Sequence, residues 1–193
     1  MKNDLEIRDI DRKIWEEELD AFVPKEVYDV HAHLWNEAHA GSNADERSML
    51  RESVSYQELL DSSKLLFPNR KLSFFCLGTP LKGIDRVRHN SWLAKEAEHE
   101  ESTKAFVIVA PDMTQDELRR ALAPETVIGL KPYRVYAEDM TNARIKDYLP
   151  ERLMEVANEK GLAVMLHMAK VEGPASKENL DDLTEYSRRF PQI

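Results

Sequence analysis

The chain has 193 residues, of which 42% are hydrophobic and 33% charged, with a formal net charge of -9. That is enough apolar material for one folded domain and too much for a disordered chain. The acidic balance gives no basic face for a phosphate backbone, which excludes nucleic acid as an expected partner, and no apolar run approaches the ~20 residues that cross a bilayer, which excludes a membrane.

The N-terminus, "MKNDLEIRDIDRK", is charged throughout and lacks the apolar core of a secretory signal. The single cysteine, Cys76, allows no intrachain disulfide, which suits a reducing, cytoplasmic location. Residues 9–24, "DIDRKIWEEELDAFVP", read as a short amphipathic helix ended by Pro24. A first strand follows from Val27 to His33. Residues 36–50 are polar and read as a loop at its carboxyl end. Ser55 with Glu58 forms a capping-box pattern for a helix whose apolar face is Leu59, Leu60 and Leu66.

"KLSFFCLGTP", residues 71–80, is a second strand with Cys76 as a buried thiol. Residues 83–100 read as a helix with Ile84, Val87, Trp92 and Leu93 inward. "KAFVIVAP", 104–111, is a continuous apolar run of the kind buried on both faces. Thr114 caps a helix with Glu117 as its box partner, and "TVIGLKPYRVY", 126–136, is a fourth strand. Pro150 and Gly161 bracket the next helix, "LAVMLHMAK", 162–170, is a fifth strand, and residues 176–191 form a last helix. Strands alternate with helices and are too apolar for one wet face, so the pattern predicts an α/β fold with a parallel sheet.

In such folds the working groups collect at the carboxyl ends of the strands. Those ends carry His31 and His33, then Lys131 and Arg134, then His167, while His39, His89 and His99 fall in a loop or on polar helix faces. Residues two apart on a strand share a face, so His31 and His33 can grip one ion, with Asp29 on the same face as an acceptor for an imidazole N–H. His167 can reach that ion from across a closed sheet. Taken singly, a buried histidine is most often a hydrogen-bonded core residue, and a strand-end lysine most often snorkels to solvent. Lys131 is otherwise a cation for an acidic substrate or a modified ligand, and Arg134 a carboxylate binder or a plain loop charge. His39 reads as a solvated loop histidine.

"YDVHAHLW", "GLKPYR" and "VMLHMAK" together resemble the amidohydrolase superfamily, in its amidohydrolase-related branch of metal-dependent hydrolases and non-oxidative decarboxylases. The resemblance implies a (β/α)8 TIM barrel, with residues 1–26 as an N-terminal helical segment and 27–193 as five βα units of the barrel. It implies a divalent metal, with zinc the expected ion, held by His31, His33 and His167, and Lys131 as a metal-bridging or substrate-binding residue. Members also use a histidine on strand six and an aspartate on strand eight as base. With five strands here against a barrel of about 250 residues, the barrel reads as truncated before strand six, and the base is expected beyond residue 193. The implied reaction is attack of metal-activated water on an amide, ester or lactone, or decarboxylation of a small acid. Two other readings stand beside it. One is an inactive or partner-dependent α/β chain, completed by a second copy or a complementing chain. The other is a five-stranded flavodoxin-like domain with a crossed strand order, which leaves the histidines unexplained.

Overall fold

The computed structural model describes residues 6–42 and 52–193. Of the loop predicted over 36–50, residues 43–50 lie outside the described part. The strands are β1 (Glu26–His33), β2 (Lys71–Leu77), β3 (Lys104–Val109), β4 (Val127–Pro132) and β5 (Ala163–Val164). They pair in the order β1-β2-β3-β4-β5, each parallel to the next, and the sheet curls into a half-barrel flanked by helices. An uncrossed order excludes the flavodoxin-like arrangement, which needs a reversal at the sheet centre.

The helices are α1 (Asp9–Ile14), α2 (Tyr56–Leu66), α3 (Arg86–Glu96), α4 (Gln115–Ala121), α5 (Ile145–Tyr148), α6 (Glu151–Lys160) and α7 (Lys177–Arg189). Local chemistry sets their ends. Ser55 with Glu58, and Thr114 with Glu117, form reciprocal capping boxes on α2 and α4. Asp85 caps α3, and Gly161 ends α6 in the left-handed conformation at φ 61°.

Between sheet and helices lies the main core. Leu34, Phe74, Cys76, Val107, Val109 and Leu130 pack there with Leu93, Leu118, Leu153 and Val156 from the helices. Each such aliphatic side chain contributes about 1.5–3 kcal/mol on burial. β3 is covered on both sides, as its apolar run predicts. On the concave side Phe75 and Phe106 meet ring to ring at 5.5 Å. Gly129 sits against Phe106, where any side chain would strike the ring.

Four local expectations need correction. β5 is two residues long rather than nine, because it is an edge with a ladder on one side only. Past Val164 it holds on through the Met165 N–H to the Leu130 carbonyl at 2.9 Å and a bridge between His167 and Tyr133. Val87 faces solvent at 74% exposure, since the buried stripe of α3 is His89, Asn90, Leu93 and Ala94. Asn90 belongs to that stripe because its amide bonds both backbone groups of Ile108, each at 2.9 Å. Leu66 is likewise exposed at the end of α2. Finally, α1 runs on as a π turn, Trp15–Leu19, and neither buries a residue. The segment is tied down by Arg70 instead, whose guanidinium donates to the Asp20 carboxylate and carbonyl at 2.8 and 2.6 Å and lies over the Trp15 ring.

Candidate active site at the carboxyl ends of the strands

β1 delivers its histidines through an irregularity. Asp29 pairs with Phe74 but Ala32 pairs with Cys76, three steps on one strand against two on the other. This is a bulge, which adds a residue and re-aims the side chains beyond it. Strict alternation from Asp29 to His31 therefore fails. Register neighbours share a face, so Asp29 lies with Phe74 of the helix-side core, and His33 lies with Leu77. The Asp29 carboxylate accepts the backbone N–H of His31 at 2.9 Å. It thus secures the bulge rather than an imidazole.

The His31 and His33 rings stand 5.2 Å apart. Next to them comes Tyr133, just past β4, whose ring centroid is 6.5 Å from His33 and 5.7 Å from His167. The tyrosine is therefore a wedge between the strand-one pair and the strand-five histidine. Its hydroxyl donates to the Gly78 carbonyl at the end of β2, and the Nδ1 of His33 contacts the same oxygen at 3.2 Å. A carbonyl only accepts, so Nδ1 of His33 carries its proton and Nε2 presents a lone pair. That is the tautomer control a ligating histidine receives from its outer partners.

Lys131 is 1% exposed and stacks its ammonium 5.2 Å from the Tyr133 ring centroid. Among the described residues no carboxylate pairs with it. Burial pushes its amine down to about 8. Arg134 lies on the rim and donates to the Met140 carbonyl at 3.3 Å. Burial, then the Lys131 charge, lower His31, with Asp29 opposing. Burial also leads at His33, where the Gly78 bond opposes and His31, Lys131 and His167 add to the lowering. His167 is lowered by burial, then by Lys131, Arg134 and His31. All three imidazoles are thus biased to the neutral form, the form that binds metals or accepts protons. The four groups share one electrostatic neighbourhood at one end of the half-barrel.

The set does not close on a single ion as placed. Among the described residues no group of three His, Cys, Asp or Glu side chains is arranged to hold a metal. His31 and His33 are the adjacent pair, and His167 packs on the other contact of Tyr133. The chain matches no family model, no curated protein and no solved structure.

His39 and His89 depart from their expected places. Both are buried, at 4% and 0% exposure, and their Nδ1 atoms meet at 3.2 Å. The Trp92 ring packs on both. Burial lowers His39 and drives His89 down to about 3. Neither is a solvated histidine, because α3 turns His89 inward and the residues after β1 lay His39 upon it. Tyr133 and Gly78 join the site without standing among the candidates that the sequence singles out. Gly78 carries a signal, a strand-end glycine where no positive φ requires one.

A groove of about 1070 Å³ lies elsewhere, between the N-terminal segment and the end of α2, lined by Ile14, Trp15, Leu19, Leu65 and Leu66. These residues precede the starts of β1 and β2, so the groove belongs to the opposite end of the sheet. No helix among the described residues is long and apolar enough to cross a membrane.

Proposed function

We propose that the chain carries the strand-end ligands of a metal-dependent hydrolase of the amidohydrolase type, acting on an amide, ester or lactone. The observation that carries this reading is the convergence of His31, His33, His167 and Lys131 at the carboxyl end of a curled parallel sheet, in one field that keeps the imidazoles neutral. The Nε2 lone pair of His33, fixed by Gly78, supports it further. Zinc is the ion such imidazoles would take, and it would supply Lewis acidity.

Decarboxylation of a carboxylic acid is the second reading. Lys131 favours it, as a buried cation with no carboxylate partner among the described residues. The open edges of β1 and β5 make a second copy or a complementing chain the partner to look for, alongside the small-molecule substrate.

Zinc content of the purified protein tests the reading. The wild type should hold zinc in near-stoichiometric amount, and His31→Ala with His33→Ala should hold none. Equal zinc in both would remove the ligand assignment. Product analysis then separates hydrolysis from release of carbon dioxide.

A further inference from the structure

The buried pair His39–His89 lies outside the strand-end set but touches it through one residue. Gly78 is the first residue after β2, and its carbonyl holds both the His33 Nδ1 proton and the Tyr133 hydroxyl. A Cβ at this position would lie 2.9 Å from Cδ2 of His89 and 2.5 Å from Cδ1 of Ile108. The backbone of Gly78 is thus pressed against the His89 ring on one side while its oxygen aims two site rings on the other.

We propose that the His39–His89 pair positions His33, acting through the backbone of Gly78. It rests on the reading that His33 serves at the strand-end site through Nε2. Neither His39 nor His89 reaches that site, so both are positioning residues.

The connections form a closed circuit. His33 ends β1, and the same chain reaches His39 six residues on. Nδ1 of His39 meets Nδ1 of His89, so one ring donates and the other accepts, and neither can rotate without losing the bond. The backbone carbonyl of His39 accepts the N–H of Asp85, which caps the helix that carries His89. Trp92, on that helix, closes over both rings. His89 in turn backs Gly78, which returns the circuit to His33.

Residue type supports orientation over mere filling. The second nitrogen of His89, Nε2, is buried without a hydrogen-bond partner among the described residues. A phenylalanine would fill the same space without stranding a polar atom. What it could not do is lock its ring angle against His39.

The test is the tautomer of His33, read from long-range ¹H–¹⁵N correlations of the imidazoles in ¹⁵N-labelled protein near pH 7.5. The variants are His89→Phe, His39→Leu and His39→Gln. The wild type should show His33 with its proton on Nδ1. His89→Phe and His39→Leu should raise the Nε2–H form several-fold. His39→Gln, whose amide can still bond Nδ1 of His89, should restore the wild-type pattern. His167 on the far side should stay unchanged throughout. The proposal is overturned by an unaltered His33 in folded His39→Leu, or by an equal change at His167, which would signal general loosening. A wild-type His33 protonated on Nε2 overturns it too. If His89→Phe does not fold, the two His39 variants decide, and failure of His39→Leu to fold makes the pair a stability element and ends the proposal. The measurement needs neither metal nor substrate. Absence of zinc from the wild type would therefore defeat the functional reading while leaving the tautomer result to stand or fall separately.

Discussion

His31 and His33 stand two residues apart on one strand, whereas His39 and His89 stand 50 residues apart and meet only in the fold. The first pair lies on a rim, with His31 exposed, His33 half-buried and a lone pair left over for something else. The second pair is buried and spends its facing nitrogens on each other. Both pairs are pushed toward neutrality by burial, so protonation state does not distinguish them. What does is whether a nitrogen remains available at a surface. The same side chain keeps a nitrogen accessible in one place and spends it inside the core in the other.

The sharpest way to break the comparison is to delete a ring from each pair. His89→Ala removes a fully buried ring and strands Nδ1 of His39, and should cost about 3 kcal/mol in urea unfolding. A cost below about 1 kcal/mol would mean that the ring does not brace the core.

Acid should act next, and through the buried pair. The folded state holds His89 far below the imidazole value of 6.5, at about 3, so the unfolded chain takes up the proton first. Its contribution is complete above pH 6.5 and drains away as pH falls toward 3. Between pH 6.5 and 5 this amounts to about 2 kcal/mol. His39 works in the same direction. In His89→Phe that part of the slope should vanish, and an unchanged slope would place the acid sensitivity elsewhere.

Replacing Lys131 should act in the opposite direction to removing His89, by raising stability. Its buried amine is held at about 8 against 10.5 in the open chain, so at pH 7 the folded state bears the full cost of an ammonium in poor solvent. Lys131→Met should raise stability by about 1–3 kcal/mol at pH 7, with the gain shrinking as pH climbs past 8. Lower stability in the variant would reveal an anion paired with the lysine. The least effect belongs to His31→Ala, which should stay within about 0.5 kcal/mol of wild type while altering metal uptake.

The alternation of strands and helices was legible because each strand is an apolar run and each helix carries its own cap, as at Ser55–Glu58 and Thr114–Glu117. The strand-end histidines were legible because strand order places them at one end of the sheet. The brace was hidden by α3. A stripe that includes a histidine and an asparagine does not look apolar, and Val87 drew the predicted face away from it. The role of Asp29 was misread for a related reason. Period-two reasoning assumes an unbroken ladder, and the bulge at Asp29–Ala32 breaks it. The Tyr133 wedge depends on two strand ends lying side by side, which spacing along one strand does not encode.

The sequential strand order has a kinetic corollary. β3 is flanked by two paired neighbours on each side, while β1 and β5 each turn one row of peptide groups outward, with Tyr28 and Val30 half exposed beside the first. Amide hydrogen exchange should therefore be graded across the sheet, slowest at Val107 and Ile108 and fastest along the outer row of β1. His31 and His33 are thus carried by an edge strand whose ladder is made on one side only.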